Sequence, residues 1–225
     1  MDNVREHFEE EAQDFDGIIL KLIPDYAQMM EALVSALPFP KMAVIQGIDL
    51  GCGTGTVTQA VLSVFPQAQF SCLDIAENMI QMARSKLSNH ANVRYLTGDF
   101  SSFEGRYDVV VSSLALHHLV SEDDKRRFYQ RVHNALLPGG AFYNADIVLG
   151  SSKFLQQAYM GQWRSFMRRQ IPDREIDGKW IPKYEAEDHP ARLMDHLAWL
   201  ADAGFSDVDV VWKRHNFAVY GGVKR

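Results

Sequence analysis

Cysteine is nearly absent from this sequence: Cys52 and Cys72 are the only two, and no Cys-x-x-Cys occurs. That scarcity excludes a disulfide framework and a cysteine-based zinc site. No run approaches the roughly 18 consecutive apolar residues of a membrane span, so no membrane partner is expected. The opening residues, MDNVREHFEEEAQDF, have no apolar core behind a basic flank, so no secretory leader is expected and a cytoplasmic location is. Basic excess is missing too: 23 Lys+Arg stand against 29 Asp+Glu, a formal net charge of −6. A bulk electrostatic grip on nucleic acid wants the opposite balance. Internal repeats and low-complexity linkers are also absent. What is present is ordinary: 225 residues, 47% hydrophobic and 23% charged, enough to bury a core without staples.

Between residues 39 and 148 apolar runs alternate with helical patterns. Ala43–Leu50, Gln69–Ile75, Val93–Leu96, Asp108–Leu114 and Ala141–Leu149 read as short strands. Thr56–Phe65, Glu77–Leu87 and Glu122–Leu137 carry apolar residues at three and four spacing and read as helices. This alternation predicts a doubly wound α/β fold with a mostly parallel sheet. Val208–Trp212 and Phe217–Tyr220, joined by a short polar link, read as a terminal antiparallel hairpin after a helix over Asp195–Ala203. The chain is therefore expected as one domain: a helical cap (1–37, broken at Pro24), a core (38–150), a variable lid (151–190), and a terminal helix and hairpin (191–225). Residues 1–35 hold nine acidic and two basic side chains, and residues 151–184 seven basic and three acidic. These two additions are expected to attract each other across a cleft.

The first strand runs into Asp49-Leu50-Gly51-Cys52-Gly53-Thr54-Gly55 and then a helix. Such glycines permit positive φ and let a ligand lie on bare backbone at a helix N-terminus. Asp74 ends the second strand, where a carboxylate can accept ribose hydroxyls. A dinucleotide fingerprint needs Gly-x-Gly-x-x-Gly/Ala; here the sixth position is Thr56. Asp49 beside the loop would repel a diphosphate and attract an ammonium. A glycine turn without a ligand is the plain alternative.

With Gly98-Asp99-Phe100 after strand three, Ser113-Leu114-Ala115-Leu116-His117-His118 after strand four and Leu137-Pro138-Gly139-Gly140 before strand five, residues 43–148 resemble the class I S-adenosylmethionine (SAM)-dependent methyltransferases. The resemblance implies a seven-stranded sheet whose last two strands are the terminal hairpin, and SAM as cofactor with S-adenosylhomocysteine as product. It implies that Gly51, Cys52, Gly53, Thr54 and Gly55 line the methionine part, with Asp49 organising the ammonium. Asp74 would hold the ribose, Ile75 and Met79 would pack on adenine, and Gly98, Asp99 and Phe100 would border it. Ser113 and Leu114 would close over the sulfonium. Met79 and Phe100 also read simply as core residues.

Methyl transfer mainly needs a positioned acceptor and exclusion of water. Candidate acceptor-site residues are His117 and His118, Tyr26 after the Pro24 break, and Arg164 in the lid. Tyr159, Trp163, Phe166, Arg168, Arg169, Trp180 and Tyr184 add aromatic and basic material for an acidic or planar small molecule. Each has a plain alternative as a packed or solvated side chain. Adjacent histidines are expected to point apart, so no metal is expected. Nucleic acid is disfavoured as acceptor, since no Asn/Asp-Pro-Pro-Tyr follows strand four. A homodimer is left open.

Leu22-Ile23-Pro24-Asp25-Tyr26 and the segment from Ala203-Gly204-Phe205 to Asn216-Phe217 further resemble relatives of the carboxy-SAM synthase of tRNA wobble-uridine modification. That enzyme uses an arginine of its variable segment to hold the extra carboxylate. The stretch around Trp180-Ile181-Pro182 lacks one, so plain methyl transfer is the primary expectation. Carboxy-SAM chemistry and a non-catalytic SAM-binding role are the alternatives.

Overall fold

The computed structural model describes residues 15–100 and 103–225. Its elements, in chain order, are α1 Phe15–Leu22, α2 Tyr26–Ser35, β1 Gln46–Leu50, α3 Thr56–Val64, β2 Gln69–Asp74, α4 Glu77–Lys86, β3 Val93–Thr97 and β4 Tyr107–Ser113. A 3-10 turn at Leu116–His118 leads to α5 Glu122–Ala135 and β5 Leu136–Ile147. The lid follows as α6 Lys153–Met167, a helical segment through Asp173–Glu175 and the π-turn Ile176–Trp180, and α7 Ile181–Glu187. Helix α8 Leu193–Asp202 and strands β6 Ser206–Arg214 and β7 Phe217–Val223 complete the chain. The first fourteen residues of the expected cap lie outside the described residues.

The seven strands form one sheet in the order β3-β2-β1-β4-β5-β7-β6. β3 through β5 run parallel, and β7 enters antiparallel beside β5 with β6 at the edge. Because β1 is flanked by both β2 and β4, the winding reverses there. The crevice outside the carboxyl ends of these strands is where α/β sheets bind ligands. Val109 and Val111 of β4 face one core with Met29, Leu33, Val61 and Trp163, while Val110 faces the other with Phe128, Val132, Trp199 and Leu200. The strand's period of two thus places α2, α3 and α6 on one side of the sheet and α5 and α8 on the other.

Among the boundaries that differ from the sequence reading, those at the starts of β5 and β1 have a visible cause. β5 begins at Leu136, ahead of the expected Ala141, since a register irregularity between Tyr107 and Val109 lets Leu136 pair before Pro138 and Gly139 interrupt. Gly139, at φ 81°, turns its N–H onto the Lys224 carbonyl at 2.6 Å. At the first strand, Ala43 is bound in a turn to the Pro40 carbonyl, which delays β1 to Gln46. The break before α2 is real: Asp25 adopts φ 54° directly after Pro24.

Six of the nine acidic residues behind the expected attraction between cap and lid lie outside the described residues, and the ion pairs of the described ones run elsewhere. Asp16 pairs with Lys86 of α4 and Asp25 with Arg214 of β6. Arg164 and Arg168 pair inside the lid, with Asp177 and Asp173. Cap and lid are joined by packing instead, with the Trp163 indole N–H donating to the Leu22 carbonyl at 2.7 Å. No described helix is long and apolar enough to cross a membrane.

Candidate active site

The glycine loop is strained in the way only glycine tolerates. Gly51, Gly53 and Gly55 have φ of 70°, 52° and 82°, the left-handed region that a side chain disfavours. A Cβ on Gly51 would sit 2.4 Å from the Ala115 Cβ. The Gly51 and Cys52 N–H groups both donate to the Leu73 carbonyl, stitching the loop to the end of β2. The cavity above is lined by Gly51, Cys52, Gly53, Thr54, Asp74, Ile75, Met79, Phe100, Ser113 and Leu114, all anticipated from the sequence, and also by Phe15, Tyr26, Thr56, Val57, Ala115 and His118.

Asp49 lies beneath the loop, fully buried. Its Oδ2 accepts from the Thr58 hydroxyl at 2.8 Å, but its Oδ1 has no hydrogen-bond partner. Burial, opposed by Thr58 and reinforced by Asp74, pushes its carboxyl up to about 7. A buried carboxylate oxygen without a partner is costly, and an ammonium, direct or through water, is what would satisfy it. Asp74 accepts from the Gly53 N–H at 2.8 Å and the Ala76 N–H at 2.9 Å. These contacts orient the carboxylate on the cavity wall. Gly98 donates its N–H to the Asp74 carbonyl at 2.8 Å. Gly98 and Asp99 themselves stand at the end of β3 outside the lining residues, whereas Phe100 is on the wall.

Helix α1 forms the roof, held by a polar latch that the sequence does not announce. Lys86 Nζ reaches Asp16 at 2.6 Å, Thr54 at 2.7 Å and Thr56 at 2.9 Å, and the Thr54 hydroxyl donates to Asp16 at 2.6 Å. Phe15 packs against Ala76 and Met79. Tyr26 bonds Ser113 and Thr56, and burial raises its phenol well above the usual range, so it remains a proton donor.

A second cavity adjoins the first. Phe15, Leu114 and His118 line both. The remaining wall is Ile18, Ile19, Leu22 and Ile23 of the cap, Trp163, Trp180, Lys183, Tyr184, Glu187 and Asp188 of the lid, and His117, Ile147 and Phe217. Trp163 meets Tyr184 and Phe217 edge-on, with ring centroids 5.3 and 5.7 Å apart. Of the sequence candidates, Arg164 is not brought here; it is turned to Asp177. Tyr159 packs on His215, Arg168 pairs with Asp173, and Arg169 lies over Phe166. A lid helix has only one face toward the core, and Trp163 and Met167 occupy it.

The expectation that His117 and His118 diverge is corrected. In the 3-10 turn their rings lie 4.2 Å apart and both reach the Asp188 carboxylate. His117 Nδ1 is 2.6 Å from Asp146 Oδ1. Burial pulls His117 down, but Asp188 and Asp146 outweigh it and raise it to about 9. Burial, with the neighbouring His117, lowers His118 to about 3. Asp146 and Asp188 were missed from the sequence. For Asp146 a signal existed: Asn144 and Asp146 share one face of an otherwise apolar strand, which implies buried polar groups with partners.

A family model described as a methyltransferase domain matches residues 48–140. With the sheet order, the glycine cradle and the orphaned Asp49 oxygen, that match supports a SAM-dependent enzyme of the class I methyltransferase type, and the residues fit SAM as its cofactor. The carboxy-SAM synthase of Helicobacter hepaticus is 24% identical over 225 residues, covering 96% of this chain and 94% of its own length. The malonyl-[acyl-carrier protein] O-methyltransferase 1 of Ilyobacter polytropus is 30% identical over 95 residues, 41% of this chain and 34% of its own. Human N-acetylserotonin methyltransferase in complex with SAM shares the fold at TM-score 0.63 and 16% identity, over 98% of this chain and 56% of that one. This chain thus spans about a third of the second relative and little over half of the human protein.

Proposed function

We propose that this protein transfers a methyl group from SAM to a small, planar and largely apolar acceptor, leaving S-adenosylhomocysteine. The observation that carries the reading is the wall shared by the two cavities: Phe15, Leu114 and His118 border both the glycine-loop cavity and the aromatic one. An acceptor among Trp163, Trp180 and Tyr184 lies beside the sulfonium end of the cofactor space. SAM supplies an electrophilic methyl, so the protein's work is positioning and exclusion of water. Asp49 and Asp74 would hold the cofactor's ammonium and ribose. Tyr26 is hydrogen-bonded to Ser113, at the edge where the methyl would leave. His118, neutral because of its burial, offers the acceptor a hydrogen-bonding ring rather than a charge.

A second reading, carboxy-SAM formation, is favoured by the full-length likeness to the Helicobacter hepaticus synthase. Against it, no arginine lines either cavity among the described residues; Lys183 is the lysine on the wall. Mass spectrometry of the nucleoside that copurifies separates the two, since a mass above SAM by a carboxylate supports the synthase. The methyl-transfer reading is tested by S-adenosylhomocysteine release over a panel of phenols, carboxylic acids, thiols and amines. Trp180→Ala should abolish turnover with the best acceptor and leave SAM affinity within a factor of about two. Turnover unchanged in that variant, or no turnover with any acceptor, overturns it.

A further inference from the structure

We propose that His117, His118 and Asp188 form a divalent transition-metal site of the zinc type that opens on the acceptor cavity. His117 Nε2 lies 3.5 Å and His118 Nδ1 3.7 Å from the same Asp188 oxygen. All three donor atoms fall within 4.8 Å of one another. A tetrahedral ion with bonds of about 2.0–2.1 Å keeps neighbouring donors about 3.3 Å apart. The two edges to Asp188 therefore lie within a few tenths of an ångström of that spacing, and rotation of the two imidazoles would close the third. His118 Nδ1 now stands 3.3 Å from the Glu187 carbonyl, a contact the ion would replace.

The surroundings are those of a ligand set rather than of a chance cluster. Metal-bound histidine characteristically gives its other ring N–H to a carboxylate, and His117 Nδ1 meets Asp146 at 2.6 Å. Asp146 is itself fixed by the Ile147 N–H at 2.8 Å, the His117 N–H at 3.1 Å and Asn144 Nδ2 at 3.2 Å. Two buried imidazoles with one carboxylate suit zinc, cobalt, manganese or ferrous iron; calcium and magnesium prefer all-oxygen shells. Two neutral rings and a divalent ion also balance the Asp146 and Asp188 carboxylates. Three protein donors leave a coordination position, and because all three line the aromatic cavity that position is offered to a lone pair on oxygen, sulfur or nitrogen of whatever binds there. The order of the chain conceals this: Asp188 is distant in sequence and arrives on the segment leaving α7.

The test uses the full chain stripped with a chelator, titrated with zinc chloride by calorimetry and with cobalt(II) by visible absorption. One equivalent should bind, with the intense d–d bands of a tetrahedral site. Asp188→Asn and His117→Ala should lose that equivalent, and Asp146→Asn should weaken it about 10–100-fold, as loss of an orienting carboxylate does. SAM titration of each variant shows that it is folded. No saturable binding to the wild-type chain, an octahedral cobalt spectrum, or equal zinc affinity in folded Asp188→Asn overturns the proposal. The titration needs no acceptor, so its failure leaves the methyl-transfer reading standing.

Discussion

Asp49→Asn separates the stability of this site from its function. Asp49 is fully buried, holds one oxygen on Thr58, and leaves the other without a partner. Its carboxyl is raised from 3.8 to about 7, chiefly by burial. A folded-state pKa above the unfolded one means that the native protein binds the extra proton. The group's contribution to stability is therefore present below about pH 4 and is lost as pH rises to 7. A shift of about 3 units at 1.36 kcal/mol each makes the buried charge cost on the order of 4 kcal/mol at pH 8. Asparagine keeps the shape and the Thr58 bond without that charge. Urea unfolding should show the variant more stable than wild type at pH 8, with the gap closing toward pH 4. Calorimetry should show the reverse for the cofactor. Losing a charge-assisted contact worth about 1.5–3 kcal/mol weakens SAM roughly 10- to 100-fold at pH 8. In the wild type, SAM affinity should fall below pH 7 as Asp49 takes up its proton, and this dependence should vanish in the variant. A variant less stable than wild type at pH 8, or one that binds SAM equally well, refutes the reasoning.

Gly51→Ala places a Cβ 2.4 Å from Ala115 at φ 70°, so chemical denaturation should show a loss of more than about 1 kcal/mol and calorimetry no SAM binding. Trp163→Phe removes the indole N–H from the Leu22 carbonyl. About 1 kcal/mol is expected from that bond, and hydrogen exchange should speed up in α1 while β4 stays protected; equal exchange in both would contradict the packing link between lid and cap. His196, lowered to about 4 by burial and within 2.6 Å of the Tyr129 hydroxyl, carries the opposite pH sign to Asp49. Its contribution is present above about pH 6.5 and is lost as pH falls to 4, up to about 3 kcal/mol. Urea unfolding of His196→Gln should be flatter with pH across that window than the wild type.

Much of the cofactor half was legible because its residues are local in sequence. Asp49 to Gly55 lie on one strand–turn–helix unit, and Asp74 and Phe100 each end the strand that their apolar runs mark out. Register then brings them together automatically: Asp49 pairs with Cys72, and Leu50 with Leu73, just before the Asp74 turn. Asp99 fits the same pattern but stands off the cavity wall, since strand period says only that an end is near, not which neighbour faces in.

The acceptor half was not legible in this way. Arginine and tryptophan on one lid helix look alike as pocket material. Only the packing of α6 against the sheet decided that Trp163 turns inward and Arg164 outward to Asp177. Among the described residues the charges of cap and lid are taken by short local pairs, because exposed charges pair with whatever lies within a few ångströms and salt screens the rest.

Composition, periodicity and the glycine loop were enough, by themselves, to determine a doubly wound α/β chain with a ligand crevice at the loop, which the family resemblance assigned to SAM, because each rests on interactions between residues close in sequence. The tertiary structure alone decided that β7 rather than β6 pairs with β5, that α1 is latched over the loop by Lys86, and that Asp146 and Asp188 converge on two adjacent histidines. Those contacts join segments up to 82 positions apart, as Ala141 and Val223 are. No local propensity encodes them; they exist because burying both faces of the sheet leaves these side chains one shared interior.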